Sequence, residues 1–346
     1  RYNQILSIIN SMANFYYMDT DKNFNHENDS LFKKNTIKTS NNNLKVLNIA
    51  FCFDDDFVMP TGVAIASVIE NNKDSHLHFH LFFESISEKN KSRILEIQGD
   101  NISLTTYELQ EELSVNPDTL ILGIPKSTCL RFMVPFILRH EVDSVLYLDG
   151  DMICLDSLHA LHDLNLKGHI AAVVADSKEM QQKASTLGYG IDTDKYFNAG
   201  FLFINVSEWN FKNVTAVAFS MINSGTIYKY ADQDVLNILL NENIKLIDKK
   251  YNKTITLSPI DRVDDKASRG TTILHYVTKN KPCFMIFESQ NFFYYLNQSP
   301  WKDTQLKLTP NASLLRIKAK KLLSDKKFVD WIKYFSLYIK YKLFSK

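Results

Sequence analysis

Asp149 and Asp151 flank Gly150 at the end of the apolar run VLYL, in the stretch VLYLDGDMICL. Side chains two apart on extended backbone point to the same side, about 6–7 Å apart at the backbone, so both carboxylates aim at one point. Gly150 between them lets the main chain come close to a ligand. An ionised carboxylate taken out of water without a counter-charge is costly, so a buried strand that ends on two of them calls for a cation. Hard oxygen ligands suit Mg²⁺ or Mn²⁺, and ions of that kind keep positions open for phosphate oxygens. The same tripeptide also reads as a loop cap at a strand end. In ILHYVTKNKP, His275 is a candidate third ligand whose imidazole biases the site toward Mn²⁺. Lys281 lies six residues further on and offers a point charge to a phosphate. A lone histidine beside a strand is more often structural.

Strands that end together have to deliver such a cluster. LKVLNIAFCF, HLHFHLFF, NISLTTYEL and SVLYL read as strands, separated by helical segments GVAIASVIENN, SEKNKSRILEIQ and a helix around STCLRFMVPFIL. GHIAAVV and GFLFINV follow as buried strands, and DQDVLNILL opens a helix with carboxylates in its first turn. This alternation predicts an α/β fold with a mostly parallel sheet covered on both faces. Ligands of open α/β sheets gather beyond the carboxyl ends of the strands, where the aspartate pair falls. Toward the N-terminus, ILSIINSMANFYYM is expected as a short amphipathic helix, and the Asn-rich stretch 19–44 as a loop or loosely docked extension. The pattern changes near residue 285 to aromatic clusters and a basic tail. The expected division is therefore 1–44, 45–284 and 285–346.

The chain has 346 residues, 45% of them hydrophobic, enough for one large α/β domain with an appendage. Its formal charge of +1 hides an asymmetry: residues 316–346 carry ten Lys or Arg against two Asp, a net of +8, which leaves the remainder at −7. An acidic body without a nucleic-acid motif argues against a nucleic-acid partner. Cys52, Cys129, Cys154 and Cys283 lie far apart with no C-x-x-C pair, which fits a reduced, cytosolic setting. No apolar run approaches the roughly 20 residues that span a bilayer. In the tail, Phe328, Trp331, Ile332, Phe335, Tyr338 and Ile339 fall on one helical face, with Lys326, Lys327, Lys333 and Lys340 around it. That pattern suits an anionic membrane surface, or a helix docked on the body by its aromatic face.

The ordered set FCFDDDF, STCLRF, YLDGDMICL, ADSKEM, YFNAGFLFINVSEWN, YADQDVLNILL and HYVTKNKP, over about residues 45–310, resembles glycosyltransferase family 8, in particular its bacterial lipopolysaccharide outer-core glucosyl- and galactosyltransferases. The resemblance implies a GT-A fold, Rossmann-like with a mixed, mostly parallel sheet flanked by helices. It also implies a UDP-hexose donor, Mn²⁺ or Mg²⁺, and transfer with retention to a lipopolysaccharide core acceptor at the cytoplasmic face of the bacterial inner membrane. By motif, Asp149, Asp151 and His275 fall where the family holds its metal, and Lys281 where a lysine meets the diphosphate. Asp54 and Asp56 lie in the segment that cups uridine, with Phe57 where an aromatic stacks on the base, and Arg131 matches a nucleotide-binding arginine. Gly150, Asp176 and Asn198 belong to the donor site, and Asp232 and Gln233 to the reaction centre. Two departures bear on the diphosphate loop: Thr278 stands where the family usually has glycine, removing a φ > 0 option, and Cys283 where it has tryptophan.

On this resemblance Gln233 is too feeble a nucleophile for double displacement. A front-face route is expected, with the Gln233 carbonyl stabilising a cationic ring while Asp232 and Asp176 hold sugar hydroxyls. Glucose is preferred over galactose as the transferred hexose. From the residues alone, Asp232 and Asp234 also read as charges complementing a helix N-terminus, and Asn198 as a turn residue. A metal-dependent nucleotide-sugar hydrolase and a non-catalytic membrane-surface protein of the same fold are the competing readings.

Overall fold

In HLHFHLFF every residue but His78 is buried, and a strand buried on both faces has to lie inside a sheet covered from both sides. The structure, a computed structural model, describes residues 31–40, 43–110, 113, 115 and 126–344; the helix expected in ILSIINSMANFYYM lies outside the described residues. Eleven strands are described: β1 (Phe32–Lys38), β2 (Val46–Phe53), β3 (His76–Phe83), β4 (Ile102–Leu109), β5 (Ser144–Leu148), β6 (Met152–Cys154), β7 (Ala171–Ala175), β8 (Phe197–Asn205), β9 (Ile244–Leu246), β10 (Lys253–Ile255) and β11 (Ile273–Tyr276). Eight form a sheet in the order β1-β4-β3-β2-β5-β8-β7-β9, and a small second sheet has the order β10-β11-β6. In the large sheet β1 and β8 run against the other six.

The chain moves outward from β2 through β3 to β4 and then returns to place β5 on the other side of β2. That reversal opens a crevice at the carboxyl ends of β2 and β5, the position where open α/β sheets bind ligands. One core packs against α1 (Val58–Asn71), which contributes Val63, Ile65 and Val68, and against α2 (Glu88–Leu95) through Ile94. Another core on the opposite face takes in α3 (Val214–Asn223) and α4 (Ala231–Leu240).

Residues 32–38, expected as part of a loop, pair antiparallel with the edge of β4. Most of β1 is exposed, so its sequence carries no hydrophobic signature; the open backbone edge of β4 supplies the pairing, and Lys33, Lys34 and Lys38 keep the new edge charged. On β3, His76, His78 and His80 alternate onto one face and meet Ser103 (2.8 Å), Thr105 (3.0 Å) and Tyr107 (3.1 Å) of β4.

Past residue 285, α5 (Gln290–Leu296) and α6 (Ala312–Ser324) send Phe292, Tyr295, Leu296, Leu314 and Leu315 into the core that also holds β2 and α1. Trp301 joins them, its ring seated against Gly62 in a space that any Cβ on that glycine would fill. The last helix, α7 (Phe328–Phe344), has no buried residue. Tyr334, Leu337, Tyr338 and Tyr341 face the body. Phe328, Ile332, Phe335, Ile339 and Leu343 face outward and are exposed. The apolar face expected as one therefore divides, with Tyr338 turned inward, Trp331 half-buried, and Phe328, Ile332, Phe335 and Ile339 left uncovered.

Candidate functional site

β2 and β5 are parallel neighbours, so the residues that follow them, Asp54 and Asp149, emerge side by side. Asp176 follows β7, and Asn198 opens β8, which runs the other way and therefore starts at the same end of the sheet. The four segments thus end together through strand order alone, beside a cleft of about 510 Å³ whose lining does not include Asp176, Asn198 or His275. Asp54, Phe57, Arg131, Asp149, Gly150, Asp151, Asp232, Gln233 and Lys281 line it. Asp56 is exposed and does not line it.

Asp149 is held on three sides. Its backbone N–H donates to Gly200 O (2.9 Å), and its Oδ1 accepts from the Tyr147 hydroxyl (2.7 Å) and lies 3.1 Å from Arg131 Nη2. Tyr147 sits two residues earlier on β5, on the same side of the strand, a signal present in the sequence but not used there. Gly150 packs onto Thr61, where a side chain would collide, and a Cβ on Gly200 would lie 2.5 Å from His275 and 2.7 Å from Asp149. Both glycines are required by close approach.

Arg131 is buried and forms the hub between two carboxylates. It donates to Thr128 O and Ala199 O (both 2.9 Å), pairs with Asp149 and with Asp232 Oδ2 (3.1 Å), and lies 4.8 Å over the Tyr147 ring. Burial works against its charge, but the two carboxylates more than offset this and raise its pKa. Burial pushes the Asp232 carboxyl up to about 6 despite the opposing pull of Arg131. Asp234, by contrast, accepts from Tyr189 (2.8 Å), Tyr196 (2.6 Å) and the Tyr230 backbone N–H (2.8 Å), which makes it a structural anchor for the start of α4. The two acids grouped as helix-terminal charges in the sequence have separate tasks.

Gln233 is fully engaged. Its Oε1 accepts from Asn198 Nδ2 (3.1 Å) and the Ala199 N–H (3.2 Å), and its Nε2 donates to Asp176 Oδ2 and the Tyr196 hydroxyl (both 3.2 Å). Both acceptor positions of the carbonyl expected to face a cationic ring are therefore occupied by protein donors. Burial raises the pKa of Asp176. Asn198 is tied into the same network by Gly200 and Asn252.

His275, on β11, brings Nε2 to 3.2 Å from Asp151 Oδ1 and 3.8 Å from Asp149 Oδ2. Burial raises the Asp151 pKa, but Lys281 and His275 reverse this and hold the group well below the usual carboxylate range. Lys281 contacts Asp151 Oδ2, donates to Tyr276 O (3.0 Å) and lies 5.9 Å over the Phe57 ring. Asp151 Oδ1 is buried without a hydrogen-bond partner. One ligand atom from each of Asp149, Asp151 and His275 falls within 4.8 Å of the others. An orphaned carboxylate oxygen among two carboxylates and an imidazole fits a divalent cation such as Mn²⁺ or Mg²⁺. Thr278, which replaces a glycine in the resemblance, nevertheless adopts φ 71°, so the loop keeps the left-handed turn at a strain on the order of 1–3 kcal/mol.

Comparison with known proteins places this site in a context. The model of the family described as glycosyl transferase family 8 matches residues 48–284. The chain is 32% identical to a lipopolysaccharide 1,3-galactosyltransferase of Salmonella typhimurium, over 86% of this chain and 91% of that protein. It is 30% identical to the lipopolysaccharide glucosyltransferase WaaO of Escherichia coli K12, over 85% and 90% of the two chains. A lipopolysaccharide 1,2-glucosyltransferase of the same strain is 29% identical over 76% and 81%. Among solved structures, the galactosyltransferase LgtC in complex with donor and acceptor sugar analogues superposes with a TM-score of 0.57 at 24% identity, covering 72% of this chain and 94% of that one. This last likeness concerns the fold, which is of the GT-A type.

Proposed function

The chain belongs to glycosyl transferase family 8, and on that premise we propose that it is a metal-dependent, retaining hexosyltransferase that moves glucose, in preference to galactose, from a UDP-sugar to the lipopolysaccharide core. The observation that carries the reading is the convergence of Asp149, Asp151 and His275, with an orphaned Asp151 oxygen, beside a strand-end cleft that Asp149, Asp151 and Lys281 line. The relatives support a hexose donor and a lipopolysaccharide acceptor; two of the three described above are glucosyltransferases.

Departure of UDP places negative charge on the diphosphate. A divalent cation held by Asp149, Asp151 and His275 would supply Lewis-acid stabilisation of that charge. Lys281 contributes a point charge: its contact with Asp151 leaves it at the cleft wall, within reach of the same anion. Phe57 offers a ring face in the cleft for the base, and Asp54 accepts from the Phe57 N–H (3.1 Å), which fixes the turn that presents it. Asp232, paired with Arg131, presents a carboxylate to sugar hydroxyls rather than a free nucleophile. Gln233 orients the pocket through its four hydrogen bonds, and its amide is a poor nucleophile. Double displacement therefore lacks its carboxylate, and the acceptor hydroxyl enters on the face UDP leaves.

Helix α7 supplies the cellular address in this reading. Its outward stripe of Phe328, Ile332, Phe335, Ile339 and Leu343, with Lys326, Lys327, Lys333, Lys340 and Lys342 nearby, suits the anionic cytoplasmic leaflet of the inner membrane. Each lysine near such a surface contributes about 1 kcal/mol. Among the described residues no helix is long and apolar enough to cross a membrane.

The test is UDP release from UDP-glucose and UDP-galactose with and without Mn²⁺ and a truncated core acceptor, with the product anomer read by NMR. The expected result is release that needs both cation and acceptor, an α-linked product from an α-linked donor, and a loss of about 100-fold or more for Asp151→Asn. Release that ignores the acceptor would establish a hydrolase instead; no release with any UDP-hexose would leave only a binding protein.

A further inference from the structure

We infer that Asn252 is a positioning residue that fixes the tautomer of His275 and couples that imidazole to the amide of Gln233. Asn252 is buried and follows a single helical turn immediately before β10, which pairs with the strand carrying His275. The inference rests on the reading of His275 as a ligand in the proposed donor site.

Two backbone N–H groups, which can only donate, set the direction of the network. The Ala199 N–H donates to one end of the Gln233 amide, so that end is the oxygen, and Asn198 meets it through Nδ2. The Gly200 N–H donates to the other end of Asn198 (3.1 Å), which is therefore its oxygen. Asn252 must then present its NH₂ to Asn198 Oδ1 (3.0 Å), which turns Asn252 Oδ1 toward His275 Nδ1 (3.1 Å). An amide oxygen in that position accepts only if Nδ1 carries the proton. In the neutral ring the lone pair of His275 is thereby placed on Nε2, the nitrogen that lies 3.2 Å from Asp151 Oδ1. Two acceptors in opposition are stable with a cation between them, so Asn252 prepares the imidazole as a ligand before any ion arrives.

The experiment uses the full chain labelled with ¹⁵N-histidine, metal-free, with the His275 signal assigned by its loss in His275→Gln. Wild type should show the Nδ1–H form at His275. In Asn252→Ala the fixed tautomer should be lost, and Mn²⁺ affinity, read from the EPR signal of free Mn²⁺, should fall by about 10–100-fold. Asn252→Asp keeps an acceptor facing Nδ1–H but cannot donate to Asn198. It should keep the tautomer and the Mn²⁺ affinity while kcat falls with little change in the donor KM. Melting curves accompany each variant. An Nε2–H form in wild type, or an Asn252→Ala protein with wild-type tautomer and Mn²⁺ affinity, would overturn the role. If wild type shows Nδ1–H yet neither binds Mn²⁺ nor turns over a UDP-sugar, the proposed function fails and the positioning role stands, because the tautomer is read without metal.

Discussion

Arg131 is 5% exposed and each of its side-chain nitrogens has an acceptor, whereas Phe335 is 43% exposed and its ring partners, Trp331 and Tyr338, belong to its own helix. The cleft and α7 stand at these two extremes. In the cleft polar groups are withdrawn from water, and each has value only while its partner is present, so removing one leaves the other stranded. On the outward stripe of α7 apolar groups stand in water, with nothing to lose from the body if they change. Stability and chemistry are therefore tied together at the cleft and separable at the tail.

The largest test of that contrast is Arg131→Met. It leaves Asp149 and Asp232 without their shared cation, and the expected cost is about 3–5 kcal/mol of stability, seen as a lower melting temperature together with loss of turnover. A variant that melts like wild type would break the link between the two properties. Next comes the triple change Ile332→Ser, Phe335→Ser, Ile339→Ser. It should weaken sedimentation with anionic phosphatidylglycerol vesicles by roughly 10-fold or more, since each side chain forfeits on the order of 1 kcal/mol of apolar burial in the interface. Its kcat on a soluble acceptor and its melting temperature should match wild type; a drop in either would mean that α7 serves the body.

The smallest effect concerns pH. Burial depresses the pKa of His78 to about 4 and that of His80 well below the ordinary histidine value of 6.5. The unfolded chain therefore takes up protons at a higher pH than the folded one. The stability that these two histidines contribute is fully present above about pH 6.5 and is lost progressively as the pH falls toward 4, offset in part by the raised carboxyl of Asp232, which the folded chain protonates first. The melting temperature should decline by several degrees across that window, less in His78→Gln. The triple α7 variant should follow the wild-type curve, because no part of that stripe titrates there.

How much of this was legible in the sequence depended on whether a residue's role was local. Asp149 and Asp151 could be aimed at one point because strand periodicity fixes their relation, and the strands that carry them are among the most apolar runs in the chain. β1 was hidden because FKKNTIK buries one residue and is held by backbone pairing, which composition does not record. Asn252 was hidden among many asparagines, its partners 23 and 54 residues away. In α7 helical periodicity found the apolar positions, but nothing local says on which side the body lies. Thr278 shows the converse limit. A glycine was missing from the loop, yet the surrounding fold imposes the left-handed turn on threonine.

Thr61 and Gly62 are consecutive residues in the first turns of α1: Gly150 rests on the one and Trp301 on the other. The loop that carries Asp149 and Asp151 and the segment that leads into the tail are thus bolted to adjacent rungs of one ladder. A bilayer met by α7 would set the tilt of the cleft mouth toward its acceptor, and a lengthening of the chain between Trp301 and α6 would leave that bearing unchanged only as long as the indole keeps its seat.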